Sequence, residues 1–402
     1  MKKIVFLSAI FLRFMKKNLL LIFLFAFSFA AFSQKTVIKK YESEDLQDIR
    51  TLKIYLPEGY QRDTITNYPL AIVLDSEYLF DLYVGNSNLY SYTDKAPKQI
   101  VVGIEMSKTR LSDAGFDETR NSELTPDANR FMNFIKNEVL PYIEGNYKTS
   151  PFLTIVGNGI TANFLTHFLR DETPLFNAYI CLNPTFSPDI SLQMESYDLE
   201  KLSSIDNTYY FYFNDGKFIS DEKQKRTGLL KMFLNSLSVK NFNVKYDYIT
   251  ESPGNISAIG EGIPRAFDKI FEIYSGINKE EFETKIKNLA PLDAISYLEN
   301  KYIEIDYLFG SNLGIREIDI IAIEDIIIEK ENGDHLKTYG DMILNLYPFS
   351  PLGHYYLGRY YEAGKDYSKA LREYRLGYGK MDPADPNADK FYRNVQRMLR
   401  KG

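Results

Sequence analysis

The chain has 402 residues and a mass of 46.6 kDa, room for one large α/β domain and a smaller appendage. Hydrophobic residues make up 45% and charged residues 25%, which is ordinary for a globular protein and excludes a largely disordered one. A formal net charge of -6 gives no global field toward nucleic acid, and a single cysteine, Cys181, excludes a disulfide framework and a thiolate zinc cluster.

Residues 1–33 hold two apolar runs. Ile4–Leu12 stops at Arg13. Met15-Lys16-Lys17 then opens Leu19–Ser33, with small residues at Ala31 and Ser33. A basic start, an apolar middle and small residues at the end form a secretory signal, with cleavage expected between Ser33 and Gln34. Met15 is an alternative start. An uncleaved anchor is the other reading, although a run of about 15 apolar residues is short for a membrane span. Cleavage leaves a mature chain with no transmembrane segment, exported to the periplasm, the outer membrane or the medium. Cys181 lies in an apolar run and reads as a buried, inert thiol.

From residue 50 onward strands alternate with helices. Leu52–Leu56 alternates and stops at Pro57-Glu58-Gly59. Tyr68–Leu74 and Ile100–Ile104 are short buried strands. Pro126–Tyr147 has Phe131, Phe134, Ile135, Val139, Leu140 and Ile143 on one side and reads as a helix. Phe152–Val156 is a strand followed by Gly157-Asn158-Gly159 and a helix over 160–170. Ala178–Leu182 and Tyr209–Phe213 are strands. A helix near 221–237, the strand Phe242–Ile249 and a helix near 263–275 complete the series. This pattern predicts a mainly parallel sheet flanked by helices, with any ligand beyond the carboxyl ends of its strands.

Strand, sharp turn and helix at Leu153–Ala162 is the arrangement of a hydrolase nucleophile elbow. Separated motifs agree with it. They are Ile72-Val73-Leu74-Asp75 with Tyr78 and Phe80, Ile100–Ile104 with Arg110, and Arg130-Phe131 through Glu138–Ile143. Asn146-Tyr147 and Leu182-Asn183-Pro184-Thr185-Phe186 follow in order. Over roughly 50–275 the chain resembles the putative-esterase family of α/β hydrolases, which includes esterase D-like and enterochelin-esterase-like enzymes. The resemblance implies an α/β-hydrolase fold and ester hydrolysis by a serine nucleophile, a histidine base and an acid.

The chain departs from that pattern where the chemistry is done. Members carry G-H-S-x-G-G at the elbow. This chain carries Gly157-Asn158-Gly159-Ile160-Thr161-Ala162, with Gly159 at the nucleophile position. Thr161 bears a hydroxyl, but two residues on, where it points elsewhere. The family histidine follows the last strand. The matching stretch, 251–257, has none, and Asn255 or Ile256 takes its approximate place. His167 belongs to the helix after the elbow, and His335 and His354 to the helical region, as ordinary helix histidines. The acid slot falls on Asp221, or on Asp215 or Glu222. The Ile160 N–H and an N–H from the loop after Asp75 are candidate remnants of an oxyanion hole. A serine without a base is a weak nucleophile, and here both are absent.

From about 277 only helical patterns remain: 278–289, 291–308, 315–331, 334–346, 352–363, 368–378 and 385–399. Leu357-Gly358, Tyr361, Gly364–Tyr367, Ala370-Leu371, Tyr374 and Pro383 resemble one tetratricopeptide (TPR) repeat. Two readings stand: a helical cap on the hydrolase domain, or a groove for a protein or peptide. The many tyrosines and phenylalanines are spread along the chain and read as core rather than as a sugar shelf.

The expected organisation is a signal over 1–33, a hydrolase-like domain over 34–276 and a TPR-like helical domain over 277–402. No metal, cofactor or nucleic acid is expected. The expected function is a pseudo-hydrolase of the cell envelope, binding a small ligand at the remnant cleft or a protein or peptide through 291–402. The alternative is an active carboxylic ester hydrolase with an unconventional nucleophile.

Overall fold

In every central strand one parity of side chains belongs to one apolar layer and the other parity to a second. The computed structural model describes residues 35–217, 220–249, 255–310, 313–382 and 384–401. The expected leader and its cleavage site, and the stretch 251–254, lie outside the described residues. Eight strands build the sheet: β1 (Lys35–Ser43), β2 (Asp48–Leu56), β3 (Tyr68–Val73), β4 (Ile100–Ile104), β5 (Thr149–Asn158), β6 (Ala178–Leu182), β7 (Tyr209–Gly216) and β8 (Phe242–Ile249). Their spatial order is β1-β2-β4-β3-β5-β6-β7-β8. β2 runs antiparallel to β1 and β4, and the remaining pairs are parallel.

The two-residue period of a strand makes both layers. Leu70 and Ile72 of β3, Ile155 of β5, Cys181 of β6 and Phe211 and Phe213 of β7 share one buried cluster. Ala71 and Val73, Val156, Ile180 and Tyr212 share the other. Strands buried on both faces read as nearly continuous apolar runs, which explains Ile100–Ile104 and Ala178–Leu182.

Helices α1 (Leu79–Tyr92), α2 (Pro126–Asn133), α3 (Ile160–Phe164), α4 (Asp221–Ser236) and α5 (Asn255–Ile270) cover the two faces. α2 begins where Thr125 Oγ1 accepts the Ala128 N–H at 3.2 Å with Pro126 in the first turn. It runs through a π-helical turn at Phe134–Val139 into Leu140–Asn146, which accommodates the missing donor of Pro141. α5 starts eight residues before the expected 263, because Pro264 sits inside the helix rather than at its head.

The helical region holds α6 (Pro291–Phe309), α7 (Glu317–Glu331), α8 (Leu336–Leu346), α9 (Pro351–Ala363), α10 (Tyr367–Tyr378) and α11 (Ala388–Leu399). α6 carries one stripe that serves two cores. Ala294, Ile295, Leu298 and Tyr302 pack with α7 and α8, while Ile305, Leu308 and Phe309 enter the second sheet layer. The Phe309 ring lies 4.9 Å from Phe152 and 5.5 Å from Phe271. Buried Asp319 of α7 accepts the Ile277 N–H at 2.6 Å and the Tyr302 hydroxyl at 2.8 Å, fixing the connection into this region. Farther along, the Cα of Gly358 lies so close to the Tyr374 ring that a Cβ there would stand 2.5 Å from Cε1, so α9 and α10 approach tightly. Among the described residues no helix is long and apolar enough to cross a membrane.

Candidate functional site

The β5–α3 turn keeps the backbone of a nucleophile elbow. Gly159 has φ 62 and ψ -117, a conformation that strains any residue bearing a Cβ. Its N–H donates to Leu182 O at 3.1 Å, and its carbonyl accepts the Thr185 N–H at 2.8 Å. Gly157 is required by crowding, since a Cβ there would lie 2.8 Å from the Thr161 carbonyl carbon. The turn therefore carries at its apex a glycine in a conformation that only glycine adopts without strain.

The space above Gly159 is bounded by other groups. A Cβ built on Gly159 would meet Arg110 Nη2 at 3.3 Å and Thr185 Oγ1 at 3.6 Å. Arg110 is anchored there from three directions. Its Nε donates to Asp75 Oδ1 at 2.6 Å, and its Nη2 donates to Asp75 Oδ2 at 3.3 Å and to Asn158 O at 2.6 Å. Asp75, at the end of β3, has φ 52 and is 1% exposed, so its charge needs this partner. Burial is the largest single influence and opposes the Arg110 charge, but the hydrogen bond and charge of Asp75 together with Tyr78 outweigh it and hold the guanidinium above its ordinary value.

Thr161 completes the lock. It is fully buried, its Oγ1 lies 2.7 Å from Asp75 Oδ2 and 2.9 Å from Asn158 O, and it accepts the Asn158 N–H at 2.8 Å. A hydroxyl held this way faces the interior of the turn. Asn158, where the family carries histidine, donates its Nδ2 to the Tyr78 hydroxyl at 2.9 Å. Of the loop after Asp75, the Ser76 N–H is bonded to Ile104 O and the Tyr78 and Leu79 N–H groups to Asp75 O, so none of these three serves as the expected oxyanion donor.

The carboxyl ends of β6 and β7 carry a second charged cluster. Asp215 is fully buried, 3.3 Å from Lys223 Nζ. Lys223 also donates to Asn183 Oδ1 at 2.6 Å. Burial pushes the Asp215 carboxyl up, partly offset by the Lys223 charge, and burial pulls Lys223 down, partly offset by Asp215. Asp221 instead lies exposed in the first turn of α4, and exposed Glu222 pairs with Arg226. Asn255 sits beside the end of β7, its Oδ1 only 3.0 Å from where a Gly216 Cβ would be, whereas Ile256 is 85% exposed.

The three histidines are engaged elsewhere. His167 Nδ1 lies 3.3 Å from the Tyr197 hydroxyl, and burial lowers its pKa to about 4. His335 contacts Glu331, and His354 Nδ1 lies 2.8 Å from Glu373 Oε2. Cys181 is fully buried, and burial raises its thiol well above the usual range.

Comparisons with known proteins agree with this geometry. Residues 43–185 match the Putative esterase family. An uncharacterised protein from Capnocytophaga ochracea superposes with a TM-score of 0.78 at 23% identity, covering 91% of this chain and 100% of its own. An IroE-like serine hydrolase from Shewanella oneidensis gives 0.56 at 20% identity, covering 78% and 98%. The BES protein from Bacillus cereus gives 0.52 at 16%, covering 61% and 96%. No curated protein matches the chain. The chain has an α/β-hydrolase fold, similar over residues 43–185 to the Putative esterase family, followed by a helical region.

Proposed function

We propose that this protein is an exported, catalytically inert esterase-fold protein that works by binding, either a small ligand at the elbow or a protein or peptide through residues 291–402. The carrying observation is the elbow itself: a nucleophile-turn backbone with glycine at its apex and the Arg110–Asp75 pair beside the vacant nucleophile position. Acyl transfer by the serine mechanism requires a nucleophile, a base within hydrogen-bond reach and an orienting acid. Gly159 supplies no nucleophile, Thr161 is held by Asp75, and each histidine is bonded away from the turn. The close Gly358–Tyr374 contact supports a TPR-like reading of α9 and α10, a packing that leaves an adjoining groove for a partner.

A fluorophosphonate probe separates this reading from that of an active ester hydrolase. The purified mature protein should remain unlabelled while a serine esterase in the same tube is labelled. Covalent labelling mapped to any residue of this chain would overturn the reading. Export is checked by intact mass. Material from the envelope or medium should begin near Gln34, and a soluble cytoplasmic pool retaining residues 15–33 would contradict it.

A further inference from the structure

A concentration of positive charge lies in the last helix, against the sign of the whole. Residues 388–402 carry five cations, Lys390, Arg393, Arg397, Arg400 and Lys401, against one acidic side chain, Asp389, on a protein of formal net charge -6. Three of them line a groove of about 630 Å³ between α9, α10 and α11, which Arg359 and Tyr355 also border. Among the described residues Glu362 is the one carboxylate lining it.

Pairing inside the groove is uneven. Glu362 accepts Arg397 Nε at 3.0 Å and Nη2 at 2.6 Å, Lys401 Nζ at 3.1 Å and the Tyr374 hydroxyl at 3.0 Å, so it is saturated. Arg359 is held by Glu324. Lys390 and Arg393 face no carboxylate among the described residues. Lys390 stands 5.1 Å from the centre of the Tyr355 ring, and Arg393 Nε reaches only the Asp389 carbonyl, at 3.3 Å. Asn394 is a second, independent sign. It lines the same groove, is 7% exposed, and has no hydrogen-bond partner for its side chain among the described residues. Its amide opens onto the groove beside Lys390 and Arg393, both exposed, so the three side chains offer hydrogen-bond donors and positive charge to a polar, negatively charged occupant.

We infer that the α9–α11 groove binds an acidic peptide segment. The segment's side-chain carboxylates would pair with Lys390 and Arg393, its backbone would meet the Asn394 amide, and the Tyr355 ring would form an apolar wall. A peptide fits better than a small anion because the cations lining the groove, Lys390, Arg393 and Arg397, are spread along two turns of α11, and Asn394 among them adds a backbone-type donor and acceptor. The inference rests on the binding reading proposed above and names the partner's chemistry.

The test is fluorescence anisotropy on the full mature chain, using a labelled peptide of alternating Glu and Gly, its Gln and Lys counterparts, and anionic phosphatidylserine vesicles. The Glu peptide should bind saturably, and the Gln and Lys peptides should bind at least about tenfold more weakly. The exposed pair Lys390→Ala with Arg393→Ala should weaken the Glu peptide about tenfold with an unchanged thermal midpoint, whereas Lys279→Ala with Lys285→Ala, remote from the groove, should not. Asn394→Ala should weaken the Glu and Gln peptides by the same factor, which a purely electrostatic surface would not do. Equal binding of Glu and Gln peptides, undiminished binding by the Lys390/Arg393 double variant, no Glu binding, or binding to vesicles alone would each overturn the inference. None of these results bears on ester turnover, so failure here leaves the inert-elbow reading standing, and probe labelling would defeat that reading separately.

Discussion

The elbow and the α9–α11 groove are both polar and rich in charge, yet they balance those charges in opposite ways. At the elbow, Arg110, Asp75, Thr161 and Asn158 bond to one another. In the groove, Glu362 is saturated while Lys390 and Arg393 have no acidic partner among the described residues. Charges paired internally stabilise a turn, whereas charges left open favour a ligand. The turn at Gly159 pairs its charges within itself, whereas the groove leaves exposed cations without an acidic partner among the described residues.

The sharpest way to break this comparison is to separate the two regions physically. Phe309 ties the helical region to the sheet, in contact with Phe152 and Phe271. Phe309→Ala should cost about 3–5 kcal/mol, the range for a large buried aromatic. In thermal unfolding followed by near- and far-UV circular dichroism, the sheet and helical signals should fall together. If only the helical signal shifts, the two regions unfold independently.

The next effect concerns the lock at the elbow. Arg110→Ala leaves Asp75, 1% exposed, without its ion-pair partner. The loss should be about 2–4 kcal/mol, less than for a fully buried pair because the Arg110 side chain is 31% exposed. Urea denaturation at neutral pH reads this directly. Arg393→Ala in the groove should change stability by less than about 0.5 kcal/mol, as expected for an exposed cation. Equal costs at the two sites would erase the distinction between them.

Acid separates the regions again. His167 is buried in the sheet region, and its pKa is lowered to about 4 from 6.5. The folded state therefore binds this proton less readily than the unfolded chain. Stability from this group is present above pH 6.5 and falls as pH drops from 6.5 toward 4, by up to about 3 kcal/mol. His167→Gln should flatten that part of the stability profile. A profile unchanged by His167→Gln would assign the acid slope to other groups.

Much of this frame was legible in the sequence because it is local. Alternating apolar runs gave strands from β2 through β8, and glycine spacing at 157–159 located the elbow. β1 was missed because Lys39 and Lys40 interrupt its pattern, and it gains order only by pairing with β2. α1 was missed because Gly85, Asn86, Ser87 and Asn88 break its apolar stripe. The Arg110 lock spans 35 residues to Asp75 and 48 to Asn158, and no spacing rule reports such a pairing. Arg110 was visible as part of a motif, but its role was not. The connection of α6 to the sheet was hidden for a similar reason, since one helical stripe serves two cores.

A modest stability effect accompanies the most direct test. Gly159→Ser places a Cβ at φ 62, 3.3 Å from Arg110 Nη2, and should cost about 1–3 kcal/mol. Turnover of short acyl esters by wild type, Gly159→Ser, and Gly159→Ser with Asn255→His bears on the central claim. Asn255 is the position beside the end of β7, and Ile256 faces solvent. The account expects background rates from wild type and from Gly159→Ser, because no base stands within reach of the new hydroxyl. Wild-type turnover well above background and unaffected by changes at 159–161 would contradict it and reveal a nucleophile elsewhere in the chain.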